Sequence, residues 1–412
     1  MRPLSWRLSP RAAEGWGQGL AICSALLLAL CGSPAASAAP FTPGKDSEVV
    51  ERLPGGLSDP SVRRVESLRR QLAAIPGDPV LRLEIARDYF GLAMAQGDPR
   101  YVGYASAAIG PLAQSASNNA AYWLMRGLIQ QYSHDFDSAL QSLAKASELD
   151  RASPEPIAWR AAIHMVQARY REALSECTRL VPLAHPLHAQ GCTAYVLAST
   201  GQLAPAYAML GRELGNAQGV APALAMWTQT RLAEMAIRLE RFDQAEAHFQ
   251  DALRQGVTDQ FLLGAYADFL LLRRRPSEVV SLLADWERSD ILLLRLAIAG
   301  RALNDSRAAG WAGQLRDRFA AAAQRGDRLH EQEAARFELE VEQKPDRALA
   351  LATRNYQTQK EARDAEILMR AALAAGQPKA AQPALDWLRG NHYEDPALER
   401  LAADLAAKGA RR

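Results

Sequence analysis

The chain lacks the sequence signatures of the common enzyme classes. It contains no glycine-rich phosphate-binding loop, no dinucleotide fingerprint, no Gly-x-Ser-x-Gly elbow, no His-Glu-x-x-His and no Cys-x-x-Cys. These absences together predict a protein with no catalytic residues, no cofactor and no bound metal.

Excess charge is also missing. The sequence has 48 basic and 46 acidic residues, and the first 38 residues hold three arginines and one glutamate. The remainder is therefore neutral, with 45 residues of each sign. Nucleic-acid binding requires a basic footprint, so we expect no nucleic-acid partner.

Long apolar runs are absent as well. The run at residues 20–31 has 12 residues, whereas a transmembrane helix needs about 20. Basic residues precede this run, and Ala36-Ser37-Ala38 follows it as a small-residue cleavage site. This three-part plan is typical of a secretory signal peptide. We expect residues 1–38 to direct the protein to the periplasm and then to be removed. The mature chain would then have no membrane span.

An alternative places the end of the leader at Cys31, which would then carry a lipid anchor. Leu30 stands where a lipoprotein signal has a small residue. Leu30 therefore counts against this alternative, in which the protein would be a membrane-anchored form of the same scaffold.

Proline and glycine are not in excess overall, but they are concentrated in one segment. Residues 39–60 hold four prolines and three glycines, which predicts a flexible linker. From residue 61 to residue 407 the apolar residues recur at helical spacing, and residues 408–412 form a short tail. The sequence therefore predicts an all-α protein.

A repeated unit organises this helical region. Mostly small residues recur at steps of 31 to 39 residues, mostly 33 or 34. This index set comprises Ala105, Ala139, Ala173, Ala206, Ala245, Val279, Gly310, Ala348 and Ala381. Twelve residues before the first six members stand Ala93, Gly127, Ala161, Ala194, Ala233 and Ala267. Small residues on both sides of a helix crossing allow two backbones to approach closely.

The segments 123–149 and 232–253 carry this pattern most completely, each with an aromatic residue three positions before its index alanine. In this the chain resembles the tetratricopeptide repeat (TPR) family. The resemblance covers residues 80–390, is clearest over 93–283 and is degenerate over 284–395. It implies an α-solenoid, a superhelix of antiparallel helix pairs.

The resemblance also implies a site. In TPR proteins the first helix of each pair lines the concave face, which here corresponds to residues 121–132, 155–166, 188–199, 227–238 and 261–272. The side chains expected to face a protein or peptide partner there are Tyr132, His188, Tyr195, Trp227, Glu234, Arg238 and Asp268. The expected function is a periplasmic interaction scaffold that aids assembly of an envelope or secretion complex. An enzyme or enzyme accessory acting on the cell wall is the alternative.

Two cysteines remain after the leader, Cys177 and Cys192. They stand about equally far from the turn predicted near residues 183–186, on antiparallel neighbours. A disulfide in an oxidising compartment and a buried free thiol at Cys177 are both compatible with this placement.

Three polar motifs have ordinary structural interpretations. His185 and His188 flank Pro186 and predict a turn that begins a helix. The arginines at 273–275 predict a helix end. The acidic run from His330 to Glu342 predicts a solvated helix face.

Overall fold

The computed structural model describes Lys45 and residues 60–410. The predicted signal peptide, the alternative anchor at Cys31 and all but Lys45 and Pro60 of the predicted linker lie outside these residues. Within them all regular secondary structure is helical, and no strand occurs. None of these helices is both long and apolar enough to cross a membrane.

Twenty α-helices follow one another in the described part of the chain. They are α1 Pro60–Ala74, α2 Pro79–Gln96, α3 Arg100–Ile109, α4 Ala120–Tyr132, α5 Phe136–Leu149, α6 Glu155–Val166, α7 Tyr170–Leu180, α8 Pro186–Ala198, α9 Leu203–Asn216, α10 Pro222–Arg238, α11 Phe242–Arg254, α12 Gln260–Leu272, α13 Pro276–Leu282, α14 Asp290–Leu303, α15 Ala308–Gln324, α16 Glu331–Glu340, α17 Pro345–Thr358, α18 Ala362–Ala374, α19 Gln382–Gly390 and α20 Pro396–Ala410. Short 3-10 turns occur at Gly110–Leu112 and Pro378–Ala381.

The helices pack as consecutive pairs, from α2 with α3 to α18 with α19. Helix α1 packs on α2 at one end, and α20 packs on α18 at the other. The predicted all-α solenoid of TPR-like helix pairs is therefore confirmed. Helix α20 continues to Ala410, so the helical region runs three residues further than the predicted boundary at 407.

A left-handed residue closes most first helices. His134, Ala168, Glu240, Arg274 and Gln343 have positive φ angles, each two residues before the second helix of its pair begins. The next backbone amide then bonds back to the first helix, as Asp135 N does to Gln130 O at 2.9 Å. This arrangement satisfies carbonyls that a helix end leaves without partners.

Small residues allow the paired helices to touch. A Cβ atom added at Gly127 would lie 2.7 Å from the Leu143 side chain, so glycine is required there. The index alanines are buried, but Gly310 is exposed, and its assignment to the buried index position is wrong. The adjacent Trp311 is buried instead, against Gly300, where an added Cβ would lie 2.8 Å from the indole ring.

The last helices return to the first half of the array. Lys360 N donates to Val166 O at 2.7 Å, and the indole N–H of Trp387 donates to the Tyr170 hydroxyl at 3.0 Å. These contacts join residues about two hundred positions apart. The C-terminal pairs therefore contact the turn between α6 and α7.

Candidate partner-binding surfaces

The seven residues predicted to bind a partner all lie on first helices, as the repeat phase requires. Tyr132 is on α4, His188 and Tyr195 are on α8, Trp227, Glu234 and Arg238 are on α10, and Asp268 is on α12. We expected these side chains to face an open groove. This expectation of an open groove is wrong for Tyr195, Glu234, Arg238 and Asp268, because later parts of the chain lie against these side chains or against their neighbours.

Arg238 contacts the loop between α19 and α20. Its Nε donates to the backbone carbonyl of Glu394 at 2.9 Å, and its Nη2 donates to Ala198 O at 2.5 Å. The guanidinium also lies 3.8 Å from the centroid of the Tyr393 ring. Its hydrogen bonds and its stacking face are thus directed to the protein itself.

Asp268 lies between two arginines from later helices. Its carboxylate is 2.6 Å from Arg295 of α14 and 2.7 Å from Arg336 of α16. Burial alone would raise the pKa of Asp268, but the two guanidinium groups bring it to about 2. The carboxylate therefore joins three helices as an ionised group.

Tyr195 and Glu234 belong to a partly buried cluster around the buried side chain of Arg231. The Arg231 guanidinium lies 4.8 Å from the Tyr195 ring centroid and 4.6 Å from that of Phe261, and pairs with Glu234 at 2.9 Å. Arg363 of α18 stacks on Phe261 at 5.4 Å. Burial raises the pKa of Glu234 above its usual range and that of Tyr195 to about 12.

Tyr132, His188 and Trp227 are partly buried against neighbouring repeats. Tyr132 makes an edge contact with Phe90 of α2, at 6.4 Å between ring centroids. His188 makes an edge contact with Trp227 at 5.9 Å. Trp227 lies over Gly191, where an added Cβ would be 2.5 Å from its ring. Burial lowers the pKa of His188. These contacts hold consecutive repeats together.

The acidic run on α16 is not the solvated face that we predicted. Glu331 and Glu333 are each only 9% exposed. Glu333 lies 3.7 Å from His330, and although burial would raise its pKa, the neighbouring His330 brings it to about 2. Glu340 pairs with Arg336 at 3.1 Å. The run is an internal ion-pair network because α16 lies within the closed array.

The other polar motifs have structural roles. His185 caps α8, accepting from Leu187 N at 3.1 Å, and Pro186 begins that helix. Arg275 pairs with Glu246 at 2.7 Å and with Glu278 at 2.5 Å, at the turn between α12 and α13.

The structure contains a disulfide between the two cysteines and not a free thiol at Cys177. Cys177 of α7 and Cys192 of α8 are bonded, with Cα atoms 5.5 Å apart. The bond joins the second helix of one pair to the first helix of the next. It therefore ties two repeats together at a point where they would otherwise be held by packing alone.

An open cleft, which the sequence analysis did not predict, occurs on another face of the array. This outer cleft, of about 410 Å³, lies between α4 and α5. Its lining consists of Trp123, Arg126, Gln130, Ser138, Gln141, Ser142 and Lys145. The signal in the sequence is a row of polar side chains three or four residues apart on both helices of one pair.

The outer cleft faces away from the C-terminal helices. Trp123 is nine residues before Tyr132, a rotation of about 180° around α4. Tyr132 is on the side that contacts Phe90, and charges from Asp290 and Asp327 act on it there. The cleft is thus on the opposite side of α4, where the closing helices do not fill it.

Comparison with known proteins gives only distant likenesses. No family model and no curated protein matches the chain. Among solved structures, the APC/C hetero-tetramer Cut9-Hcn1 has 15% identity, a TM-score of 0.38 and coverage of 76% of this chain and 52% of its own. PilW, a type IV pilus biogenesis factor, has 21% identity, a TM-score of 0.34 and coverage of 57% and 94%. Yeast Tom70 has 13% identity, a TM-score of 0.40 and coverage of 85% of each chain.

The chain spans about half the length of the first of these structures. At these TM-scores the likenesses carry no argument about function. The fold rests on the helix pairs described above, and the site rests on its own geometry.

Proposed function

We propose that the protein is an exported interaction scaffold that holds a protein partner on the outer face of its helical array. The observation that carries this proposal is the division of surfaces. On the first helices α10 and α12, Arg238 and Asp268 are bound by later segments of the chain, whereas the outer cleft between α4 and α5 is open. A stacked array of helix pairs presents an extended surface of fixed geometry, which suits it to holding a partner.

The periplasm is the proposed compartment. The leader-like sequence at residues 1–38 supports it, and so does the Cys177–Cys192 bond, because disulfides persist in oxidising compartments. The proposed role there is to assist assembly of an envelope or secretion complex. A partner that must be held in one orientation suits an array that is braced by internal ion pairs.

Site-specific photo-crosslinking in the native host tests the scaffold. A photoreactive residue is placed at Gln141 in the cleft, at Ala204 on α9 and at Asp243 on α11, all of which are exposed. Tyr195, inside the closed array, serves as the matched internal position. We expect a discrete intermolecular product from at least one outer position and only intramolecular products from Tyr195.

A partner captured from Tyr195 but from none of the outer positions would overturn the outer-face proposal. Fractionation and the mass of the mature N-terminus test the compartment. We expect the periplasmic fraction and an N-terminus at Ala39. Processing at Cys31 with added lipid would favour the anchored scaffold, and recovery in the cytoplasm with an intact leader would contradict export.

A further inference from the structure

The lining of the outer cleft is rich in hydrogen-bond donors and lacks an acidic side chain. Arg126 makes no ion pair among the described residues, and its guanidinium lies 5.2 Å from the Trp123 ring centroid. Lys145 pairs with Glu148 at 3.3 Å, but both side chains are exposed, at 44% and 66%. Such an exposed pair contributes little and exchanges readily with another carboxylate.

The floor of the cleft is polar and fixed. Ser142 is 3% exposed, and its hydroxyl donates to Gln130 Oε1 at 2.7 Å. That bond orients the Gln130 amide so that its NH₂ group is directed away from the Ser142 hydroxyl, and Gln141 adds a second amide at the rim. Amide NH₂ groups of this kind donate to peptide carbonyl oxygens.

The two cations of the cleft share one level. Gln130 and Ser142 are bonded across the helix pair. Arg126 is one turn before Gln130 on α4, and Lys145 is about one turn after Ser142 on α5. Because the helices are antiparallel, both steps run in the same direction, and Arg126 stands opposite Lys145.

Trp123 forms a rigid wall beside these cations. Its indole N–H donates to Ser117 O at 3.0 Å, and Arg126 stacks on its ring. An aromatic surface held in one orientation loses little conformational entropy when a partner packs on it.

We propose that the outer cleft binds an acidic, extended peptide segment of a partner protein. A carboxylate of the segment lies between Arg126 and Lys145, and its backbone carbonyls accept from Gln130 and Gln141. A peptide suits the site better than a nucleic acid, because two cations neutralise few phosphates whereas the amides match a peptide backbone. This inference rests on the proposed scaffold function and names the chemistry of its partner.

Dye-labelled peptide pools test the cleft by fluorescence anisotropy on the whole mature protein. One pool carries aspartate and glutamate at fixed positions, and the other carries asparagine and glutamine there. We expect only the acidic pool to bind. The R126Q/K145Q variant should bind it about tenfold more weakly or worse, because two charge-assisted hydrogen bonds are lost.

The matched control is R171Q/R212Q, which removes the same charge from exposed positions on α7 and α9. It should bind the acidic pool as the wild type does. Equal weakening in both double variants, equal binding of both pools, or no binding of either pool would overturn the proposal. If a partner still crosslinks from Ala204 or Asp243 in R126Q/K145Q as in the wild type, the scaffold stands and only the cleft assignment fails.

Discussion

The backbone amide of Leu203 donates a 2.6 Å hydrogen bond to the carboxylate of Glu394, although 191 positions separate the two residues. Leu203 is the first residue of α9, and the preceding Gln202 makes no capping bond with its side chain. The missing cap is thus supplied by the far end of the chain. Arg238 then binds the backbone carbonyl of the same Glu394, so this one residue joins α9 and α10 to the C-terminal loop.

Replacing Glu394 with alanine should weaken the attachment of the C-terminal loop to α9 and α10, which we call the closure. The substitution removes the acceptor for an amide that α9 cannot satisfy internally, so we expect the free energy of unfolding to fall by about 1–2 kcal/mol. Urea unfolding followed by circular dichroism measures it. Glu399→Ala, an exposed change on α20, is the control, and an equal loss in both variants would contradict the capping role.

Gly201 tests the same closure from the opposite side. It has a φ of +79°, and an added Cβ would lie 3.0 Å from His392 Cβ. Gly219 has a similar φ of +64° with nothing within 4 Å. A left-handed alanine costs about 1–2 kcal/mol wherever it stands, so both Gly201→Ala and Gly219→Ala should destabilise the protein.

Gly201→Ala should destabilise it further, because His392 and the loop that carries it must move. Thermal or urea unfolding of the two variants gives the difference. If the two losses are the same, the contact between Gly201 and His392 contributes nothing to closure.

The helix pairs were predictable because their determinants are local. Ala139 and Gly127 recur with the repeat period, and each is small for a reason that acts within one pair. Gly310 shows the limit of this argument. There the buried residue at the crossing of α14 and α15 is Trp311, and Gly300 on the facing helix allows the two helices to approach closely. Because the large and small residues have changed places, a search for small residues at the index position overlooks this crossing.

The closure was not predictable from the same pattern. An aromatic or charged residue on the concave side of a first helix, such as Tyr195 or Asp268, has the same sequence signature whether it faces a partner or the chain itself. What distinguishes the two cases is the identity of its distant neighbour. Arg336 lies 68 positions beyond Asp268, and no periodicity connects them.

Removing the disulfide should lower stability without dissolving the fold. Cys177 and Cys192 are separated by 15 positions, and a cross-link over a loop of that size stabilises by about 3 kcal/mol, mainly by restricting the unfolded chain. The C177A/C192A variant should therefore unfold at lower urea concentration than the oxidised wild type. A reductant should lower the midpoint of the wild type and leave that of the variant unchanged; a shift in both would show that another bond or process is responsible.

Acid should weaken the packing of α16 through Glu333. Its pKa in the folded protein is about 2, below the ordinary value of 4.5. Above pH 4.5 the carboxylate is ionised in both states, and its interaction with His330 contributes fully as long as His330 is protonated. As the pH falls from 4.5 towards 2, the unfolded chain takes up the proton first, so the free energy of unfolding falls, by an amount of the order of 3 kcal/mol.

His330 sets the opposite limit of this window. Its pKa is raised above 6.5 because the favourable effect of Glu333 outweighs burial, so its contribution is present below pH 6.5 and is lost as the pH rises through the folded value. The ion pair therefore contributes most between about pH 4.5 and 6.5.

Urea midpoints measured from pH 8 to pH 2 should show a shallower acid-side decline in Glu333→Gln than in the wild type. His330→Gln should also flatten that decline, since the interaction that lowers the pKa of Glu333 most is then lost and only the charges of Arg295 and Arg363 oppose the effect of burial. Profiles parallel to the wild type in both variants would remove this pair from the acid response.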